Sequence, residues 1–264
     1  MRVIDCSTNR YPDCCVQALP VNRAAASVVA AEHWMEIWLQ DRPAMRVVCT
    51  PEHLDELAVG RLLTEGLIEG PDDIEELYIC EYGLRARVTL RPEARAPLAE
   101  AEAPEVASCC TDNRTLLRRR LEEAGPVRPI PWEPEWLIRM QEKMRGGEPL
   151  YEATHAVHAC YLARVEEILC CREDIGRHNA LDKAVGWAAL QGIDLRECLL
   201  FTTGRMPSDM VSKAIRSRVP ILVSKTFPTD QGLRLARQAR LTLITVRGNG
   251  ELIVWTDGSP ENNE

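Results

Sequence analysis

The sequence predicts an α/β fold with an α+β N-terminal part, and three observations carry that reading. In the last third, short apolar runs alternate with helix-length segments, the pattern of a mainly parallel sheet covered on both faces. Residues 34–90 instead give two alternating hairpins around one helix. The chain has 264 residues, 45% of them hydrophobic, but only 6 Trp, 5 Tyr and 2 Phe, so its core must be largely aliphatic.

The N-terminal part is built from alternation. Trp34–Leu39 alternates in hydrophobicity, Asp41-Arg42-Pro43 reads as a turn, and Met45–Cys49 continues as a strand. Thr50-Pro51 supplies an N-cap and a first-turn proline. Leu54, Leu57, Ala58 and Leu62 then recur at helical spacing, and Gly66 sits where that helix ends. Leu77–Cys80 and Leu84–Leu90 form the second hairpin, turning near Gly83. Residues 91–107 are rich in Pro, Ala and Glu without apolar periodicity and read as a mobile loop. That loop leads to Ser108-Cys109-Cys110 and a helix striped by Leu116, Leu117 and Leu121. A further helix is expected over Pro134–Met144, stopped by Gly146-Gly147.

The last third is expected to start with paired strands at Ala156–Ala163 and Glu167–Cys171. A helix from Arg177 to Gln191 follows. Strands at Cys198–Thr202, Pro220–Ser224 and Leu241–Val246 then alternate with helices at Ser208–Ser217 and Asp230–Arg240. Four regions result: an irregular segment at 1–22, an α+β domain at 23–107, a Cys-bearing loop with helices at 108–150, and an α/β ligand-binding domain at 151–264.

Composition excludes several classes. The net charge of −8 argues against nucleic acid, whose phosphates need concentrated positive charge. No apolar run approaches the roughly 18 residues of a membrane span, and Met1–Cys15 lacks the basic-then-apolar order of a signal peptide. A soluble cytoplasmic protein is expected. Eleven cysteines, six of them in adjacent pairs, are then free thiols. Cys49, Cys80, Cys160, Cys170, Cys171 and Cys198 lie in apolar or alternating segments and read as small core residues.

Ligands of open α/β sheets bind beyond the carboxyl ends of the strands. Three loops qualify: Thr203-Gly204-Arg205, Lys225–Thr229 and Arg247-Gly248-Asn249-Gly250. Each carries one basic residue, and the first two lead into helix N-termini, which favour an anion. A phosphate-bearing ligand fits this pattern; so do glycines that merely turn the chain and charges that are merely solvated. Asp174 reads as an N-cap for the Arg177 helix, whose His178 faces the same end as either a packing residue or a ligand contact. Cys109 and Cys110 are the cysteines least like core: they precede a helix, where a thiol can be activated, although Asp112 opposes a thiolate. Of His155, His158 and Cys160, only the last two share a strand face, and the chain has no Cys-x-x-Cys, so no metal site is expected.

These segments together resemble the FdhD family, the formate dehydrogenase accessory sulfurtransferases. The resemblance rests on Cys49-Thr50-Pro51-Glu52, Glu56–Gly66, Val157-His158-Ala159 and, most specifically, Arg172–Lys183. Thr203-Gly204-Arg205, Pro220–Ser224, Pro228-Thr229 and Arg247-Gly248 follow in family order, so the match spans roughly residues 30–256. The resemblance implies a C-terminal fold similar to cytidine deaminases, a three-layer α/β/α domain without their zinc. It implies that persulfide sulfur from a cysteine desulfurase is passed to the molybdenum cofactor, bis(molybdopterin guanine dinucleotide), for the formate dehydrogenase catalytic subunit. It further implies that Cys109 carries the sulfur and that Val246, Arg247, Gly248, Asn249, Gly250 and Glu251 hold the cofactor, assisted by Arg205 and His178. A homodimer is the family expectation. Two departures stand out. The second Cys of the family's Ser-Cys-x-x-Cys-Gly motif falls on Asp112, with Asn113 for the Gly, and the family's Gly-Gly before the Val-His strand falls on His155-Ala156. The alternative is therefore a chaperone that binds the cofactor without moving sulfur.

Overall fold

The computed structural model describes residues 1–7, 16–19, 27–94 and 125–259. Its first sheet has the order β1 (Arg2–Asp5), β6 (Ile74–Ile79), β7 (Arg85–Leu90), β4 (His33–Leu39), β5 (Arg42–Cys49). In β4, Met35, Ile37 and Leu39 are buried while Trp34 is exposed, the period-2 pattern that the sequence shows. The inward residues of all the strands but β1 pack on α1 (Leu54–Thr64) through Leu54, Leu57, Ala58, Val59 and Leu62. Two expectations change here. Leu39 pairs directly with Arg42, so the turn is Gln40-Asp41, with Gln40 at φ 54°, and Pro43 lies in β5. Arg2–Asp5, read as irregular, pairs in parallel with β6; β2 (Val16–Leu19) and β3 (Ser27–Ala30) form a separate antiparallel ladder.

Thr50 does not cap α1. That role falls to His53 at φ 55°, without a side-chain cap, while Thr50 turns inward to the second sheet. The helix ends as its glycine foretells: Gly66 has φ 65°, and the amides of Gly66 and Leu67 reach back to the carbonyls of Leu63 and Leu62.

The second sheet has the order β13 (Leu252–Asp257), β12 (Thr242–Val246), β11 (Ile221–Ser224), β10 (Leu199–Thr202), β8 (His158–Arg164), β9 (Glu167–Asp174). β10, β11 and β12 run parallel, and β8 and β13 run against them. One face is covered by α4 (Arg177–Leu190), α5 (Ser208–Arg216) and α6 (Asp230–Gln238), with Ala180, Leu181, Ala184, Val185 and Ala188 of α4 inward as expected. The other face packs Tyr161, Phe201, Val223 and Ile244 against Leu137 and Met140 of α2 (Pro134–Lys143). The short α3 (Pro149–Thr154) is an element that six residues are too few to announce. The fold is mixed α/β. The Cys109 loop and the Leu116–Leu121 helix lie outside the described residues.

The two sheets are joined where α1 crosses α4. A Cβ on Gly60 would lie 1.8 Å from the Asp182 carbonyl oxygen, and one on Gly186 would lie 1.8 Å from that of Glu56. Buried charges close the junction. Asp174 Oδ2 accepts from the Thr50 amide and hydroxyl, both at 3.0 Å, and pairs with Lys183 Nζ at 2.6 Å. Asp182 pairs with Arg61 at 3.1 Å and Lys213 at 3.1 Å, and accepts from the Thr64 hydroxyl at 2.6 Å. Asp174, therefore, is the end of β9 and an anchor between the sheets, and Gly176 occupies the N-cap of α4.

Candidate functional site

Strand directions place the carboxyl ends of β9, β10, β11 and β12 on one edge, with the amino ends of β8 and β13. Buried hydroxyls at or next to those ends fix the loops. Thr202 Oγ1 accepts from the Gly204 amide at 3.0 Å, Ser224 Oγ donates to the Gly204 carbonyl at 2.7 Å, and Thr245 Oγ1 donates to the Thr226 carbonyl at 2.8 Å. Gly204 is needed for close approach: its Cβ would sit 2.7 Å from that of Arg177.

Two groups of polar side chains form along the edge. In the first, His178 Nε2 is 2.7 Å from Asp209 Oδ2, with Arg177 4.0 Å from the same carboxylate. Thr203 Oγ1 accepts from the Ala159 amide at 2.9 Å and lies 3.5 Å from His158 Nδ1. Burial pushes both histidines below the ordinary imidazole value; for His158 the charges of Arg177 and Arg205 act the same way, and for His178 the Asp209 carboxylate opposes it. Burial would raise Asp209, but the hydrogen bond and charge of His178 outweigh it and hold the carboxyl at about 2. The contact holds the His178 ring with Nε2 toward the Asp209 carboxylate. Arg205 is exposed beside them.

The second group surrounds the hairpin turn between β12 and β13. The Arg247 amide donates to the Glu251 carbonyl at 2.8 Å, the Gly250 amide to the Arg247 carbonyl at 2.9 Å, and the Glu251 amide to Asn249 Oδ1 at 3.1 Å. Gly250 takes φ 83°, and the space beside Gly248 is open. The Arg247 guanidinium is half exposed, 2.9 Å from the Glu251 carboxylate and 5.9 Å from the Phe227 ring centre. Val246 is buried in the core, so only its backbone can meet a ligand. A cavity of about 370 Å³ opens alongside, lined by Lys225, Gly248, Arg145, Glu148 and Tyr151. Glu148 Oε1 accepts from the Tyr161 hydroxyl at 3.0 Å and from Lys225 Nζ at 3.2 Å.

The structure thus gathers His178 and Arg205 at the ends of β8–β10, and Arg247, Gly248, Asn249, Gly250 and Glu251 beyond β12, with the Lys225–Thr229 loop of β11 between them. The helix N-termini differ from the expectation of open anion sites. The first turn of α5 already holds a carboxylate, Asp209, whose Oδ1 accepts from the Met210 amide at 2.8 Å, and Thr229 caps α6. His155 is not on a strand but ends α3 at φ 54°. Among the described residues no three His, Cys, Asp or Glu side chains are grouped to hold a metal ion. Cys109 lies outside the described residues, as do Cys110 and Asp112. Burial pushes the thiols of Cys49, Cys160 and Cys198 up, and those of Cys170 and Cys171 up to about 12, which disfavours the reactive thiolate.

Periodicity missed Glu148 and Tyr151, at the cap and in the first turn of the six-residue α3, and Asp209, hidden in an otherwise ordinary amphipathic helix. Asp182 carried a usable signal: it falls four residues after His178 and three before Val185, on the inward stripe of α4, where an unpaired charge is not tolerated.

The depressed histidines make a pH prediction. Below the unfolded imidazole value near 6.5 the unfolded chain binds protons that folded His158, His178 and His53, the last pushed down to about 4 by burial, refuse, so stability falls as pH drops from 7 toward 5. Urea unfolding across that range will show the decline, and His178→Gln will make it shallower.

Residues 30–260 match the FdhD/NarQ family. The chain is 30% identical over 230 residues to the sulfur carrier protein FdhD of Bacillus subtilis, covering 86% of this chain and 88% of that one. It is 31% identical over 233 residues to the FdhD of Halalkalibacterium halodurans, covering 86% of each. The crystal structure of a protein assigned as a formate dehydrogenase accessory protein in Desulfotalea psychrophila aligns with a TM-score of 0.72 at 27% identity, over 93% of this chain and 97% of that one. No described helix is long and apolar enough to cross a membrane. With the polar sheet edge in the stretch that matches, the chain belongs to the FdhD/NarQ family.

Proposed function

We propose that the chain carries sulfur for the maturation of a formate dehydrogenase, moving it from a cysteine desulfurase to bis(molybdopterin guanine dinucleotide). The observation that carries the reading is the 30% identity with a sulfur carrier protein across 230 residues, together with a family match over residues 30–260 that includes the sheet edge. In the first step the Cys109 thiolate attacks the outer sulfur of the donor's persulfide. The sulfur–sulfur bond of the donor breaks, its cysteine leaves as a thiolate, and Cys109 holds the persulfide. The molybdenum cofactor is then the acceptor substrate. Its phosphates are bound by Arg247 and the backbone around Gly248, with Lys225 and Arg205 as further cations along the same edge of an acidic chain and the His178 ring beside them. The catalytic subunit of formate dehydrogenase receives the product, and the chain works as a homodimer in the cytoplasm.

Intact-protein mass after incubation with a desulfurase and cysteine tests the first step. Wild type is expected to gain one reducible sulfur atom and Cys109→Ala none. Loss only in Cys110→Ala would move the carrier by one residue. No gain in wild type, with guanine nucleotide still bound, would favour a cofactor chaperone, the reading to which Asp112 in place of the motif's second Cys points. Arg247→Ala is expected to weaken guanosine diphosphate binding about tenfold with little change in melting temperature, because the side chain makes an exposed ion pair and a long contact with the Phe227 ring.

A further inference from the structure

The first sheet turns its second face to solvent, away from α1. On it lies a basin of about 730 Å³ lined by Trp34, Tyr78, Leu84, Arg46, Arg85 and Arg87. Trp34 is 57% exposed and Leu84 51%, unusual for side chains of this size in a chain with so few aromatics. Arg85 stacks 4.6 Å and Arg87 5.9 Å from the centre of the Trp38 ring. Among the described residues that line the basin, Glu36 is the one carboxylate; it accepts from Arg46 at 2.8 Å and lies 3.5 Å from Arg85. Arg87 has no ion pair among the described residues, so the basin is positive on a chain whose net charge is −8.

Trp, Tyr and Arg around an apolar floor are the side chains that dominate protein–protein affinity. Charge then selects the occupant. A second copy docked by two-fold symmetry would set this arginine cluster against itself, which costs affinity. Three arginines in one basin give no track for a nucleic-acid backbone, and the remainder of the chain repels one. β7, which carries Arg85 and Arg87, is also the last described strand before Cys109 in the chain.

We propose that this face docks an acidic segment of the protein that donates the sulfane sulfur. The proposal rests on the sulfur-carrier reading, and the test separates the two. Wild type, Trp34→Ser and Arg87→Glu are loaded with sulfur from two donors, a purified cysteine desulfurase with cysteine and the small molecule glutathione persulfide, and followed by intact mass. Both substitutions are at exposed positions, and thermal melting will confirm the fold. The expected result is a loss of about tenfold or more in kcat/KM with the desulfurase, no change with glutathione persulfide, and a salt dependence present in wild type but reduced in Arg87→Glu. Equal loading of variants and wild type by the desulfurase would overturn the docking face. So would an equal loss with both donors, or a change of oligomeric state in Arg87→Glu, which would assign the face to a second copy. If wild type accepts sulfur from neither donor, the carrier reading itself fails and the docking proposal with it.

Discussion

Asp182→Ala is expected to destabilise the protein by about 3–5 kcal/mol, the usual cost of removing one partner from a buried ionic cluster. Asp182 is fully buried, and its carboxylate neutralises Arg61 of α1 and Lys213 of α5, whose side chains are only 7% and 6% exposed. Without it the two cations face each other in a dry junction, with only Glu65 left to share. Urea denaturation should show the unfolding free energy falling by that amount while Asp230→Ala, on the exposed start of α6, leaves it in place. A decrease below about 1 kcal/mol for Asp182→Ala would mean that water enters the junction.

Gly60→Ala is expected to cost about 3 kcal/mol or more, although alanine is the better helix former by about 1 kcal/mol. Sterics decide the sign. The new methyl would lie 1.8 Å from a backbone oxygen of α4, and backbone on both helices leaves no flexible side chain to yield. The helices must separate, and the charges between them lose their short contacts. Gly70→Ala is the matched control: its Cβ meets nothing within 4 Å, and no more than about 0.5 kcal/mol is expected to change. Equal melting temperatures for the two variants would refute the close-crossing account.

Much of this architecture was legible because it obeys local rules. Met35, Ile37 and Leu39 alternate, Ala180, Leu181, Ala184 and Val185 recur at helical spacing, and Gly66 stops a helix, so hairpins, helices and the alternating last third could be read directly. The strand-end rule then led to the loops that hold Arg205, Lys225 and Arg247. What failed depended on residues distant in the chain. Thr50 looks like a helix cap from its neighbours but is claimed by Asp174, 124 positions away. Asp174 likewise looks like a cap and instead spends one oxygen on the other sheet. Glu148 and Asp209 become site residues only once β8, β11 and α4 bring Tyr161, Lys225 and His178 to them. Lys225 lies 77 positions from Glu148 and His178 lies 31 from Asp209, beyond any local window of sequence.

The spacing of polar contacts between α4 and α5 has a dynamic consequence. His178 and Asp182 are one turn apart on α4, and Asp209 and Lys213 are one turn apart on α5, so each helix offers its partner two successive contacts. The first lies at the sheet edge and the second in the junction between the sheets. The opening end of α5 therefore cannot fray as helix termini normally do, because loosening Asp209 loads the same register that holds Lys213. Amide hydrogens of Val211 to Ile215 should exchange with solvent only when the whole molecule unfolds, in one cooperative unit with α1. The carboxyl-end edge of the second sheet is then expected to be as rigid as the deepest part of the protein.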